Sequence, residues 1–271
     1  MVNAIIFSFN RASQLNLLIE SIQKNASGVF KLNILYKANT PDFSLGYEIL
    51  KEKTSHLSIN WIEEKSFRDD LIGLFDKHML FTTFFTDDDI LYNKITEEEI
   101  IKPLKYDDDI FCFSLRLGKN TKYCYSERTE NILIDPIEHG YYFTWDWIPH
   151  YADLNYPLSV DGHLFRSNDI LKMTKNISFT NPNTYEAGLQ FFSKNSPWFK
   201  MAAYQISALV NSPSNMVQNV FTTNRQGEKF GISAEELNQK FINGEIIDFS
   251  SIDFSRIVGA HQELLFSFKK L

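Results

Sequence analysis

Residues 79–92, MLFTTFFTDDDILY, constrain the fold of this chain more than any other stretch. They open as an apolar and aromatic run, which is typical of a strand buried on both faces inside a parallel sheet. Three consecutive aspartates follow, Asp87, Asp88 and Asp89. At ~4 Å and an effective dielectric of ~20, each pair of ionised carboxylates repels by roughly 4 kcal/mol, and a bound cation is the simplest relief. The stretch predicts a metal site at a strand tip or, as the alternative, a solvated acidic turn.

The spacing of the aspartates predicts which of them face each other. If the strand continues through them, Asp87 and Asp89 share one face and Asp88 points to the other, because side chains alternate along a strand. Two carboxylates on one face offer hard oxygen ligands to Mg²⁺ or Mn²⁺ and leave the third for a hydroxyl or the backbone. We therefore expect Asp87 and Asp89 to ligate the metal.

Strand-like and helix-like segments alternate along the first part of the chain. Apolar runs predict strands over residues 3–9, 32–37 and 57–63, and helical periodicity follows each of them. This alternation favours an α/β fold with a mostly parallel, Rossmann-like sheet flanked by helices, in which ligands bind beyond the carboxyl ends of the strands.

The second half of the chain has a different pattern. Strands are predicted over residues 109–117 and 158–165, with an aromatic segment at 141–151 between them, and a later helix carries Glu186 in its first turn. From about residue 212 the sequence is polar and irregular apart from one predicted helix over residues 233–241. We expect a single domain with parts at about 1–105, 106–211 and 212–271.

Composition argues against several classes of protein. The net charge of -7 does not suit a general binder of nucleic acid or of anionic membranes. The sequence has neither a signal-peptide pattern nor an apolar run of about 18 residues, which predicts a soluble, cytoplasmic protein without an integral membrane segment. Cys112 and Cys124 lack a CxxC spacing, so we expect reduced thiols.

Taken in order, the motifs resemble the GT-A glycosyltransferases, particularly the family-2-like enzymes that use nucleotide sugars. The opening IIFSFNRASQLNLLIESI is similar to their first strand, nucleotide-binding loop and first helix, and FFTDDDILY to their DxD motif. TYEAGLQ is similar to the helix that brings an acidic residue to the acceptor site, and VGAHQ to the histidine that closes the metal site. The resemblance covers about the whole chain, with one departure: alanine follows Glu186 where the family usually has a second acidic residue.

The resemblance implies a metal-dependent glycosyltransferase with a GT-A-type fold, made of a nucleotide-sugar half, an acceptor half and a C-terminal arm. The donor would be a UDP- or GDP-linked sugar, and the acceptor a hydroxyl of a glycan or a lipid-linked molecule that brings the protein to a membrane periphery. His261 would be a third metal ligand, and its nitrogen would favour Mn²⁺ over Mg²⁺. Asp87 and Asp88 would share contacts to the nucleotide.

Several residues near the strand ends are candidates to hold the donor. Asn10, Arg11 and Arg68 lie at the predicted carboxyl edge and could contact the base or the diphosphate, or, in the case of the arginines, form surface ion pairs. The dipeptide at 224–225, Asn-Arg, is a further candidate for phosphate.

On the acceptor side, an inverting transfer needs a carboxylate that takes the proton from the acceptor hydroxyl. Glu186 is the first candidate and Asp161 the second; their alternatives are a helix-terminal acid and a turn residue. The aromatic residues Trp145, Trp147 and Tyr151 could stack on a sugar, or belong to the core. A nucleotidyltransferase and a non-catalytic carbohydrate-binding protein are alternative functions, although the first strand is not followed by a glycine-rich phosphate loop.

Overall fold

The structure is a computed structural model that describes residues 1–193, 199–217 and 227–271. The strands are β1 (Val2–Phe9), β2 (Phe30–Lys37), β3 (Ile59–Glu63), β4 (Phe81–Thr86), β5 (Asp89–Leu91), β6 (Ile110–Ser114), β7 (Tyr123–Cys124), β8 (Thr129–Glu130), β9 (Ile137–Glu138), β10 (Tyr142–Asp146), β11 (His163–Arg166), β12 (Lys200–Tyr204), β13 (Leu209–Asn211), β14 (Glu245–Ile247) and β15 (Phe268–Lys270). The helices are α1 (Ala12–Asn25), α2 (Pro41–Lys53), α3 (Phe67–Gly73), α4 (Glu97–Tyr106), α5 (Ser167–Lys175), α6 (Pro182–Ser193) and α7 (Ala234–Ile242), with short 3-10 turns at Ala152–Asn155, Phe249–Ser251 and Phe254–Arg256.

A central sheet of nine strands organises the described residues, in the order β3-β2-β1-β4-β11-β6-β12-β10-β9. The first four strands in this order run parallel, as do β6 and β12. Strand β11 lies antiparallel between β4 and β6, and β10 is antiparallel to both of its neighbours. The prediction of an α/β fold with a mostly parallel sheet flanked by helices is confirmed.

The sheet carries a hydrophobic core on each face. Successive residues of β1 alternate between the two cores, with Ala4 and Ile6 in one and Ile5 and Phe7 in the other. Helices α1, α4 and α7 pack on the first face, and α3, α5 and α6 pack on the second. A strand covered on both faces favours apolar and β-branched residues, which is why β1 and β4 consist mostly of them, and the buried polar side chains of Asn3 and Thr82 find hydrogen-bond partners in Leu74 and Ser167.

Two helices begin where the sequence provides strong capping groups. Thr96 and Glu99 form a complete capping box at the start of α4, in which each side chain bonds the backbone N–H of the other residue. At the start of α6, Asn181 Oδ1 accepts from the N–H of Thr184 at 2.9 Å. Helix α6 therefore begins at Pro182, and Glu186 lies in its second turn rather than in the first turn that the sequence predicted.

Two predicted strands are shorter than expected. Strand β6 ends at Ser114 rather than near residue 117, and β11 begins only at His163. Gly162, just before β11, has a φ of +68°, and a Cβ at this position would lie 2.6 Å from the Leu209 side chain. Gly162 still bonds the sheet, since its N–H donates to the Phe84 carbonyl at 2.8 Å and its own carbonyl accepts from the Leu115 N–H at 2.9 Å, and Val160 and Asp161 before it line the cavity described below.

Candidate functional site

A cavity of about 1150 Å³ opens at the carboxyl ends of the parallel strands, where the sequence predicted a ligand site. One wall comes from the ends of β1 and β2 and from the turn after β4. A second set of lining residues lies within 124–127, 151–156 and 180–186 and includes Thr129, and Asn211 and His261 also line the cavity. We call the first wall the donor side and this second set the acceptor side, after the roles that the sequence predicted for Arg11 and Glu186.

The turn between β4 and β5 arranges the three aspartates differently from the alternating pattern expected of a strand. Strand β4 ends at Thr86, and Asp87 and Asp88 form a turn whose side chains both line the cavity. Asp89 is fully buried and accepts from the Thr86 N–H at 2.9 Å. The expectation that Asp87 and Asp89 share a face is wrong, because side-chain alternation holds only while the strand continues.

Arg11 lies between the first two aspartates. Its Nη1 donates to Asp87 Oδ1 at 3.1 Å and to Asp88 Oδ2 at 2.9 Å, and its Nε donates to Asn215 Oδ1 at 2.8 Å. The second oxygen of Asp87 accepts from the Phe9 N–H at 3.0 Å. Arg11 therefore links the loop after β1, the aspartate turn and the segment after β13.

Burial perturbs the carboxylates of this turn. It raises the pKa of Asp87 to about 6, with a further increase from Asp88, although the charge of Arg11 acts in the opposite direction. Burial also raises the pKa of Asp89 well above its ordinary value, helped by the charges of Asp161 and Asp88. The three carboxylates of the turn therefore outnumber the single guanidinium of Arg11. The raised pKa of Asp89 favours its protonated form, which reduces the excess negative charge.

Asp161 and His261 meet at the floor of the cavity. His261 Nε2 lies 3.2 Å from Asp161 Oδ2, and Thr86 Oγ1 donates to Asp161 Oδ1 at 3.0 Å. Burial alone would raise the pKa of Asp161, but the bond from His261 and the charges of His261 and Arg116 lower it to about 2. Asn211 Nδ2 joins this group to the aspartate turn by donating to Asp88 Oδ1 at 2.8 Å.

Glu186 lies on the acceptor side of the same cavity. Its Oε1 accepts from the Val160 N–H at 3.0 Å. Burial and the nearby charge of Asp161 raise the pKa of Glu186 above its ordinary value of 4.5. A carboxylate whose pKa moves towards neutrality suits proton transfer better than an ordinary surface acid does.

Arg116 is a buried residue of the cavity that the sequence did not single out. Its side chain is 2% exposed, and its two terminal nitrogens lie 3.6 Å from Asp153 and 3.5 Å from Asp161. Its Nε has no hydrogen-bond partner among the described residues. In the sequence, this arginine could have been noticed because it stands between two leucines directly after β6. A charged residue is unusual at such an apolar position.

Of the three aromatic candidates for sugar stacking, only Tyr151 lines the cavity. Trp145 and Trp147 are each 2% exposed and belong to the hydrophobic core, which is the second of the two alternatives that the sequence left open for them. Tyr151 is 83% exposed and precedes Ala152, whose φ of +54° is strained for a residue with a Cβ. The strained backbone presents the Tyr151 ring at the mouth of the cavity.

The remaining predicted donor residues lie beside the cavity. Asn10 has a φ of +59° and exchanges two hydrogen bonds with Asn39, which fixes the loop that carries Arg11. Arg68 donates to the carbonyl oxygens of Lys175 and Ile177. The phosphate candidates at 224–225 lie outside the described residues.

The structure contains no preformed metal cage in its described part. Across residues 1–193, 199–217 and 227–271, no three His, Cys, Asp or Glu side chains are grouped closely enough to hold a metal ion. Cys112 and Cys124 are buried free thiols. No helix in the same residues is long and apolar enough to cross a bilayer.

Comparison with known proteins gives a likeness of fold. Neither a scan of protein-family models nor a search of curated protein sequences finds a match. Among solved structures, the chain is similar to S. aureus TarS 1-349 in complex with UDP-GlcNAc, at 14% identity and a TM-score of 0.44 over 77% of this chain and 57% of that chain. It is also similar to the mannosyltransferase PcManGT from Pyrobaculum calidifontis in complex with GDP-Man and Mn2+, at 12% identity and a TM-score of 0.35 over 63% and 45% of the two chains. A cytidylyltransferase from Leptospira borgpetersenii is similar at 9% identity and a TM-score of 0.43, over 76% of each chain.

Proposed function

We propose that this protein is a glycosyltransferase that moves a sugar from a nucleoside-diphosphate sugar to a hydroxyl of a glycan or glycoconjugate. One observation carries the proposal: a single cavity holds the aspartate turn with Arg11 on its donor side and Glu186 on its acceptor side. The donor side can hold a charged diphosphate, and the acceptor side can take a proton from a hydroxyl. Transfer of a sugar needs both.

Arg11 and Glu186 have separate tasks in this reaction. As the bond from the sugar to the diphosphate breaks, negative charge develops on the leaving group, and the Arg11 guanidinium stabilises that charge. Glu186 accepts the proton of the attacking hydroxyl, and its raised pKa makes it a stronger base than an exposed glutamate. Asp161, whose pKa is low and whose oxygens already accept bonds from Thr86 and His261, is less suited to that step and instead fixes His261.

The donor side also has the chemistry to hold a divalent cation. Asp87 and Asp88 line the cavity and share one guanidinium, and His261 Nδ1 is a buried nitrogen with no hydrogen-bond partner among the described residues. As they stand, no three acidic, histidine or cysteine side chains of the described residues are grouped closely enough to hold a metal ion. Asp88, Asp87 and His261 would therefore have to draw together to hold Mn²⁺ or Mg²⁺, with Asp88 in the role that the sequence assigned to the buried Asp89. When bound, such an ion supplies Lewis-acid stabilisation of the leaving diphosphate.

The acceptor side favours an acceptor without negative charge. Among the described residues that line the cavity, the Lys and Arg residues are Arg11 and Lys37, which belong to the donor side, and Arg116, which is buried and already paired with Asp153 and Asp161. Glu127 and Glu186 add further carboxylates. An anionic acceptor would meet repulsion here, whereas a neutral glycan, free or lipid-linked, could bond the amides of this wall and stack on Tyr151. A lipid-linked acceptor would bring the protein to a membrane surface.

Nucleotide release distinguishes the proposed function from its alternatives. The protein is incubated with UDP- and GDP-sugars, with and without neutral oligosaccharides, and the released nucleotide is identified. A glycosyltransferase releases nucleoside diphosphate faster when acceptor is present, whereas a nucleotidyltransferase supplied with nucleoside triphosphate and sugar phosphate releases pyrophosphate. Binding without release of either product would instead indicate a carbohydrate-binding protein. The loop Asn10–Arg11 between β1 and α1 contains no glycine to cradle a triphosphate, which supports the first outcome.

A further inference from the structure

Arg11 has an unusually complete set of partners for a residue at the floor of a cavity. It is 9% exposed, and all three of its side-chain nitrogens donate hydrogen bonds. Besides the two aspartates, it bonds both the side-chain oxygen and the carbonyl oxygen of Asn215, at 2.8 Å and 2.5 Å. A guanidinium offers five donors in a rigid fork, so this geometry holds three separate segments together.

Each carboxylate oxygen of the two aspartates accepts a hydrogen bond. Asp87 accepts from Arg11 and from the Phe9 N–H, and Asp88 accepts from Arg11 and from Asn211 Nδ2. Each oxygen keeps a second lone pair, so a cation can bind there, but it then lies close to the guanidinium that shares both carboxylates. Arg11 is the charged donor, so an incoming cation and the guanidinium also repel each other.

We propose that Arg11 is the resident counter-cation of the aspartate turn and exchanges places with a divalent cation when the donor binds. In the free protein, Arg11 neutralises Asp87 and Asp88 and keeps their affinity for metal low. When a divalent cation takes the carboxylate oxygens, Arg11 Nη1 loses both partners while Asn215 still holds the rest of the guanidinium. The released end then bonds the diphosphate, the anion that arrives with the cation. The exchange rests on the proposed function. Its consequence is that binding of the metal favours binding of the nucleotide, and the reverse.

Replacement of Arg11 should move metal affinity and nucleotide affinity in opposite directions. Titration calorimetry and the electron paramagnetic resonance of Mn²⁺ measure metal binding to the full chain without nucleotide. We expect Arg11→Gln to bind Mn²⁺ at least about tenfold more tightly than the wild type, because a positive charge beside the site is lost. With Mn²⁺ saturating, the variant should bind UDP or GDP at least about tenfold more weakly, because the diphosphate loses a charged donor.

Arg166→Gln is the matched control. Arg166 is also a partly buried arginine, but it donates to the carbonyl oxygens of Leu104, Asp107 and Ile110, and it does not line the cavity. Its replacement should leave both affinities unchanged even if stability falls. Arg11→Lys keeps the positive charge and guards against a variant that does not fold, and we expect its Mn²⁺ affinity to lie between those of the wild type and Arg11→Gln.

The outcomes separate this proposal from the proposed function. Unchanged or weaker Mn²⁺ binding by Arg11→Gln, or no Mn²⁺ binding by either protein, overturns the exchange. Tighter Mn²⁺ binding by the variant, with no binding of UDP or GDP to either protein, supports the role of Arg11 as counter-cation and overturns the proposed function instead. Tighter Mn²⁺ binding by Arg11→Gln with an unchanged nucleotide affinity would show that Arg11 does not bond the diphosphate. This result overturns the second step of the exchange, in which the released guanidinium binds the nucleotide.

Discussion

Replacing Arg116 with methionine removes the guanidinium that lies between Asp153 and Asp161 without opening a large cavity. Removing one partner of a buried ion pair typically costs ~3 to 5 kcal/mol, because the other charge stays buried and unpaired. We expect the lower end of that range. Both ion-pair distances are long, at 3.6 and 3.5 Å, and each carboxylate keeps another hydrogen-bond donor, Asn131 for Asp153 and Thr86 for Asp161.

The loss should depend on pH in a way that a packing defect would not. The pKa of Asp161 in the folded protein, about 2, lies below its ordinary value of 3.8. Its stabilising contribution is therefore present above pH 3.8 and disappears as the pH falls through 2. Without Arg116 the folded pKa rises, so the deficit of the variant is full at pH 7 and shrinks as the pH falls from about 5 towards 2.

Thermal and urea denaturation of the two proteins at pH 7 and at about pH 3, within the range where the contribution of Asp161 is being lost, measure this effect. A deficit of ~3 kcal/mol at pH 7 corresponds to roughly 6 to 12 °C in Tm for a chain of this size. The double variant Arg116→Met with Asp161→Asn should recover part of the loss, since it also removes an unpaired charge. An equal deficit at both pH values, or a deficit below ~1 kcal/mol at pH 7, would refute the electrostatic account of Arg116.

Three further predictions concern the cavity. Glu186→Gln should lower turnover by ~10² to 10⁴ while nucleotide affinity measured by calorimetry stays unchanged, since only proton transfer is lost. In the wild type, the midpoint of the acidic limb of the pH–rate profile should lie above pH 4.5, because the pKa of Glu186 is raised. A midpoint at or below that value would contradict the raised pKa. Tyr151→Ala should raise the KM for a neutral oligosaccharide about two- to tenfold with kcat unchanged. The buried Trp147 is the contrast, and Trp147→Ala should lower stability by ~3 to 5 kcal/mol. An unchanged KM in Tyr151→Ala would remove Tyr151 from the acceptor site. Asp88→Asn should weaken metal-dependent binding of UDP or GDP at least about tenfold. Asp89→Asn should leave it within about twofold, because the Asp89 side chain is fully buried and does not line the cavity; the reverse order would return the metal role to Asp89.

The sequence predicted the sheet well because both faces of it are covered. Strands β1 and β4 consist mostly of apolar and β-branched residues, and such runs are visible without any knowledge of their partners. The resemblance to the glycosyltransferases pointed to Glu186 and His261, a break in a predicted strand pointed to Asp161, and the structure brings all three to one cavity.

The details of the site depend on local turns that the pattern could not reveal. Which of the three aspartates point the same way depends on where β4 ends. The strand ends at Thr86, whose N–H donates to the Asp89 side chain. The alternating spacing of Trp145 and Trp147 fits either a core role or stacking on a sugar, and the packing of residues such as Leu154 against them decides for the core. Arg116 was missed because its partners come from distant segments of the chain.

The position of β11 has a consequence for attempts to dissect the chain. This strand belongs to the second half of the sequence, yet it pairs with β4 on one side and β6 on the other. A fragment that stops near residue 105 would leave β4, an apolar strand, as an open edge, which invites pairing with other molecules and aggregation. The two halves of the cavity could therefore not be expressed as separate modules, and a split or permuted version of this protein would have to keep β4, β11 and β6 on one polypeptide.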